Sequence, residues 1–239
     1  MISFNQLTKR FGDKVAVNNL NLTVQDGEIF GFLGPNGAGK TTTIKMLVGL
    51  LEPSTGQISV NNIDVRQNPL EAKRLLSYVP DNPDIYDKMT GKQYLDFLGA
   101  VYNLDPAMAD KTIRYYADLF EITDALNDLI GSYSHGMKQK LVLVGALFHN
   151  PHTLVLDEPM VGLDPKSSFN LKEIMRQRCS QGLSVFFSTH VMEVAEKICD
   201  RIAIINHGNI IAVGTMDELR AMAHGGQTLE ELFLELTNE

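Results

Sequence analysis

The sequence predicts an α/β fold: a parallel-sheet core, an N-terminal antiparallel β subdomain and an inserted α-helical subdomain. Three observations carry this. Strand-length apolar runs alternate with helical patterns after Thr153; short alternating segments fill residues 1–30; and from about Thr90 to Phe148 the texture is helical throughout. At 239 residues with 44% hydrophobic content, the chain suffices for one large domain with an insertion.

The elements follow in order. Leu20, Leu22 and Val24 alternate with polar residues before the turn Asp26-Gly27, as half-buried antiparallel strands do, and Gln57–Val60 repeats the pattern after Pro53-Ser54-Thr55-Gly56. Between them, Glu28–Leu33 (EIFGFL) is an apolar strand and Thr43–Leu51 has helical spacing, so GPNGAGKTT at Gly34–Thr42 joins a strand to a helix. Thr90 and Gln93 form a capping box, and Asp105-Pro106 has the order of an N-cap followed by proline at the first helical position. Leu95, Leu98 and Tyr102 mark one apolar face, and Ile113, Tyr116 and Phe120 another. Then come TLVLD, a helix around Leu171–Arg178, SVFFST, a helix over Val191–Cys199, and RIAII, whose uninterrupted apolar runs suit a parallel sheet covered on both faces. Leu229, Leu232, Phe233 and Leu236 fall at i, i+3, i+4 and i+7, the pattern of a closing amphipathic helix packed on the body. The expected division is a single domain, with the core and antiparallel subdomain at 1–89 and 150–216, the helical subdomain at 90–149 and a C-terminal helix at 217–239.

The strand-to-helix loop carries the first chemistry. Gly34, Gly37 and Gly39 permit positive φ and close backbone approach, so N–H groups from Gly34, Pro35, Asn36, Gly37, Ala38, Gly39, Lys40, Thr41 and Thr42, proline excepted, can curl around an anion. Lys40 supplies charge for β- and γ-phosphates, Thr41 a hydroxyl for Mg²⁺, and the following helix its positive end. This is a P-loop, and it predicts a nucleotide. LVLDEP at Leu154–Pro159 delivers two acids at a strand end: Asp157 suits Mg²⁺, and Glu158 can deprotonate an attacking water. His190 follows the apolar strand SVFFST and belongs on the same sheet edge.

Composition narrows the class. The net charge of −8 and the lack of a basic block argue against a nucleic-acid partner, and Cys179 and Cys199 have no metal or disulfide spacing. No stretch approaches the ~18 apolar residues of a membrane span, and the N-terminus lacks a secretory pattern, which predicts a soluble, cytoplasmic chain.

Taken together, GPNGAGKTT, SYSHGMKQK at Ser132–Lys140, LVLDEP, GLDP at Gly162–Pro165 and STH resemble, in order and spacing, the motif series of ABC-transporter ATPase subunits, across essentially the whole chain. The segment with Ser134 and Gly136 resembles the family's signature, with His135 in place of a glycine and Met137 in place of a glutamine. This variant is similar to that of drug-resistance and bacitracin-type exporters. The resemblance implies a RecA-like core and a head-to-tail dimer in which Lys40 and Thr41 of one subunit and Ser134 and Gly136 of another hold each ATP. It implies that Phe11 stacks on adenine, that Asp164 contacts the opposing subunit, and that the chain serves a separate integral-membrane permease on the inner face of the membrane, for export. Asp81 stands where the family commonly has a glutamine and is expected to reach the metal through water. The alternative, a soluble relative acting on nucleic acid or ribosomes, usually has two ATPase units or a long coiled coil; this chain has one P-loop and no such heptad run.

Overall fold

The computed structural model describes residues 1–222 and 228–237, with the side chains of 236 and 237 outside the description. Two sheets share its centre. Strands β1 (Ile2–Phe11), β2 (Lys14–Val24), β4 (Thr55–Val60) and β5 (Ile63–Asp64) make an antiparallel sheet in the order β2-β1-β4-β5. Strands β3 (Ile29–Leu33), β6 (Leu76–Val79), β7 (Thr153–Asp157), β8 (Ser184–Thr189), β9 (Arg201–Asn206) and β10 (Asn209–Gly214) make the second, in the order β10-β9-β3-β8-β7-β6. Its strands run parallel except β10, which returns antiparallel to β9.

Every residue of β3, β7 and β8 is buried, which is why these strands read as continuous apolar runs. Phe186 on β8 sits among Phe4, Phe30 and Phe32, with ring centroids 6.0, 6.0 and 5.3 Å away, and so joins the two sheets in one core. Each ring removed from water contributes about 1.5–3 kcal/mol.

Helix α1 (Lys40–Leu47) follows β3; α2 (Pro69–Leu75) leads into β6. The helical insertion comprises α3 (Gly91–Val101), α4 (Pro106–Leu119), two short 3₁₀ turns and α5 (His135–Leu147). Both caps read from sequence are present: Gln93 N–H donates to Thr90 Oγ1 at 3.2 Å while Gln93 Oε1 accepts from Thr90 N–H at 2.9 Å, and Asp105 accepts from Met108 N–H at 2.9 Å. Leu95, Ile113 and Phe120 are buried together against α5 and the sheet.

Helices α6 (Pro165–Ser180) and α7 (Met192–Ile198) connect β7 to β8 and β8 to β9. Where one C-terminal helix is expected over 217–239, the described residues form two, α8 (Met216–Met222) and α9 (Leu229–Thr237). Leu229, Leu232 and Phe233 pack with Leu219, Ile202 and Ile204, while the Leu236 side chain lies outside the described residues. No helix among the described residues is long and apolar enough to cross a membrane.

The topology matters because β3, β6, β7 and β8 run in one direction. The segments that leave them, starting at Gly34, Pro80, Glu158 and His190, therefore emerge along one edge of the sheet.

Candidate functional site

Along that edge lies a cleft of about 260 Å³ lined by Phe11, Lys14, Ala16, Pro35, Asn36, Gly37, Gly39, Lys40, Thr41, Thr42, Asp81, Asp157 and Glu158. It is not the roomiest hollow. One of about 380 Å³ lies between the end of α1 and β4–β5, but it gathers none of these charged groups.

The loop has the shape its glycines were expected to give, with one difference. Gly37 and Gly39 have φ of 82° and 111°, but Gly34 has no positive φ. Gly34 is there for space: a Cβ on it would lie 2.3 Å from the Ile205 carbonyl oxygen. The loop is thus pressed against the end of β9, and Gly208 N–H donates to the Ala38 carbonyl at 2.9 Å from the other side. Ala38 itself is buried and does not line the cleft. Among the described residues no side chain caps the start of α1, which leaves the N–H groups of its first turn available as an anion site beside the cleft.

Lys40 is 6% exposed, and its ammonium donates to the Gly34 carbonyl at 2.6 Å and the Pro35 carbonyl at 3.3 Å. Glu158 Oε1 is 3.7 Å from it. Burial lowers the Lys40 pKa, and the charges of Glu158 and Asp157 oppose the drop.

Asp157 is fully buried at the end of β7. Burial raises its carboxyl pKa; the hydroxyls of Ser188 and Thr41 oppose the rise, and the charges of Asp81 and Glu158 add to it. Ser188 donates a short hydrogen bond to Oδ1, whereas Oδ2 has no hydrogen-bond partner among the described residues. An orphaned carboxylate oxygen beside a hydroxyl, in a cleft with two further acids, fits a hard cation that takes oxygen ligands.

Glu158 is a non-glycine residue with φ of 49°, in the left-handed region. Its N–H is held by the Ser188 carbonyl at 3.2 Å and by Ser188 Oγ at 3.3 Å, contacts that sustain an uncommon backbone conformation. Its carboxylate oxygen Oε1 lies 2.9 Å from His190 Nδ1. His190 does not line the cleft and reaches it through Glu158.

Asp81 is exposed at the cleft, where its Oδ1 accepts from Asn82 N–H at 2.9 Å. Phe11, 49% exposed, lies at the rim with the Lys9 ammonium 5.1 Å from its ring centroid. Ser188, Lys14 and Ala16 escape sequence reasoning. The signal for Ser188 is a polar residue inside the apolar strand SVFFST.

Ser134, Gly136 and Asp164 do not line the cleft. Ser134 is the exposed N-cap of α5 and accepts from Met137 N–H at 3.3 Å. Asp164 is the N-cap of α6, accepting from Ser167 N–H at 2.9 Å and Ser167 Oγ at 2.7 Å, and it pairs with Lys140 at 2.6 Å within the same chain. The Lys140 ammonium, followed by the two Ser167 donors, holds its carboxyl well below the usual carboxylate range.

Comparison with known proteins identifies the family and the fold. The sequence pattern of the family described as ABC transporter matches residues 17–161. The linearmycin resistance ATP-binding protein of Bacillus subtilis is 36% identical over 100% of this chain and 76% of its own length. The Nod factor export ATP-binding protein I of Burkholderia lata is 37% identical over 96% of this chain and 75% of its own. A probable multidrug ABC transporter ATP-binding protein of Escherichia coli is also 36% identical, but the chain spans only 42% of that protein. Among solved structures, an ATP-binding subunit of an ABC transporter superposes with a TM-score of 0.94 at 32% identity, covering 99% of both chains. A dimeric ATP-binding cassette with ADP and Pi has the same fold, at a TM-score of 0.82 and 22% identity.

Proposed function

The chain belongs to the ABC transporter family as an ATP-binding, ATP-hydrolysing subunit, and from that premise we propose how its residues divide the work and what they serve. One observation carries the reading: Lys40, Asp157 and Glu158 converge over the P-loop in a single cleft, with His190 bonded to Glu158.

The backbone of Gly34–Thr42 and the start of α1 bind the phosphates, and Phe11 stacks on the base. Lys40 exchanges the Gly34 and Pro35 carbonyls for phosphate oxygens, a stronger charge-assisted contact. Thr41 and Asp157, with Asp81 at the cleft wall, would hold Mg²⁺, which would supply positive charge to offset that on the phosphate oxygens. Glu158 orients the attacking water and accepts its proton, and His190 fixes the Glu158 carboxylate and stabilises charge near the γ-phosphate.

A second copy or a related subunit supplies Ser134 and Gly136 at the γ-phosphate. ATP thus closes a dimer, and hydrolysis opens it. The groove of about 300 Å³ between the core and the helical subdomain, lined by Leu50, Lys73, Tyr78, Tyr94, Leu98 and Tyr102 among others, is suited to a membrane permease. It adjoins the strand that leads to Asp81, so a partner seated there touches the segment that enters the cleft. The named relatives that handle linearmycin resistance and Nod factor export support an export role at the cytoplasmic face of the membrane.

Glu158→Gln tests the central assignment. The variant binds ATP, loses hydrolysis by about 10²-fold or more, and accumulates as an ATP-bound dimer on size exclusion. Hydrolysis at the parent rate removes Glu158 from the role of base.

A further inference from the structure

The first two turns of α5 are fastened to the chain segment that follows Glu158. Gly136 lies so close to it that a Cβ there would stand 2.5 Å from the Gly162 carbonyl oxygen, and a Cβ on Gly162 would stand 2.7 Å from His135 Cδ2. Gln139, fully buried, donates from Nε2 to the Pro159 carbonyl at 3.4 Å. Lys140, whose side chain is 14% exposed, reaches Asp164 at 2.6 Å. These two turns of helix therefore touch Pro159, Gly162 and Asp164, three points on the six residues after Glu158.

On the opposite side, Lys138 pairs with Asp87 at 2.6 Å, and the Asp87 carbonyl accepts from Gly131 N–H at 3.0 Å. That segment leaves β6 at Pro80 and passes Asp81 at the cleft. The helix that presents Ser134 is thus bridged to two of the strand-end segments of its own cleft, those after β6 and β7, by an ion pair to each.

We propose that Lys140 is a positioning residue: by holding Asp164, it sets the angle at which α5 presents Ser134 to the nucleotide of an opposing subunit, and so couples that site to Glu158 of its own chain. The inference rests on the two-subunit reading above. Asp164 is half of this latch before any partner arrives, since its carboxylate is already engaged by Lys140 and Ser167. The close approach of the Gly136 and Gly162 backbones leaves little room for slippage, so a change at one end of the 159–164 segment is passed to α5 as a rigid displacement.

The test compares the parent 239-residue chain with Lys140→Met, Lys140→Arg, Asp164→Asn and the double variant Lys140→Met/Asp164→Asn. Asn keeps the N-cap acceptor and removes the charge. Three readouts are taken: binding of a fluorescent ATP analogue at protein concentrations too low for dimerisation, the dependence of hydrolysis on ATP concentration, and Tm. In Lys140→Met and Asp164→Asn, the Hill coefficient falls toward 1 and kcat drops about tenfold, with analogue binding within about twofold of the parent; the double variant is no worse than either single change. Lys140→Arg retains the cooperativity. Unchanged cooperativity and kcat in Lys140→Met overturn the proposal, as does a loss that only follows weakened analogue binding or a lower Tm. A parent chain that binds ATP but shows neither cooperativity nor an ATP-dependent dimer overturns the two-subunit reading, and the latch with it.

Discussion

Lys40 and Ser134 both stand at the start of a helix, α1 and α5, yet their surroundings differ. At α1 the groups are enclosed: Lys40 is buried, bonded to loop carbonyls and faced by two carboxylates, one of them with an orphaned oxygen. At α5 the groups are open: Ser134 and His135 are exposed, and among the described residues the Ser134 hydroxyl caps only its own helix. Enclosed charge makes a site that is assembled in one chain and discriminates strongly. An open helix start contributes to ligand binding only when a second surface covers it, which suits a contact made and broken each cycle.

The largest effect belongs to the enclosed side. Lys40→Ala removes the buried ammonium that lines the cleft beside Glu158 and is expected to lower kcat/KM for ATP by about 10³-fold, about 4 kcal/mol of transition-state stabilisation. Steady-state hydrolysis with calorimetric ATP binding checks this. The ligand-free fold should lose little, because burial already disfavours the Lys40 charge. Retained activity would show that the loop N–H groups alone hold the phosphates, and the contrast between the two helix starts would collapse.

The far end of α5 sharpens the comparison, being as closed as its start is open. His149 stacks on Tyr102 with ring centroids 3.8 Å apart, and burial drives its pKa from 6.5 to about 4. The unfolded chain takes up this proton below about pH 6.5 while the fold resists until about pH 4. Stability is therefore unaffected above that window and falls as pH drops across it, by about 3 kcal/mol in total. His149→Phe should flatten the urea-unfolding stability over this range. An unchanged slope would assign the acid sensitivity elsewhere.

The enclosed region was also the more legible in the sequence. A loop that wraps phosphates needs glycines, a lysine and a threonine at fixed spacing, and a buried strand that ends in two acids has few other uses, so Gly34–Thr42, Asp157 and Glu158 could be read locally. Direction did the rest, because parallel strands bring Asp81 and His190 to the same edge. What stayed hidden was tertiary. Gly34 reads as a flexible residue, but its neighbour is the Ile205 carbonyl, 171 positions away along the chain. The Lys140 pair with Asp164 leaves no pattern in either partner's neighbourhood, and the polar Ser188 inside SVFFST does not name Asp157 as its partner. Strand β6, four residues long, and the edge strand β10 are too short or too broken in alternation to stand out.

The smallest effect on stability, and the most telling for the open side, is Ser134→Ala. The side chain accepts one long hydrogen bond, from Met137 N–H at 3.3 Å, so its loss as a cap costs about 1 kcal/mol or less and lowers Tm by a few degrees at most. ATP binding to the monomer should stay at the parent value, since Ser134 does not line the cleft. The ATP-dependent dimer of a Glu158→Gln chain, however, should weaken by at least tenfold when Ser134→Ala is added, because the hydroxyl then has a phosphate to meet. Sedimentation velocity across a range of ATP concentrations separates the two quantities. If the dimer is unaffected while Tm falls, the start of α5 is only a helix cap, and the chain's second ATP contact lies elsewhere.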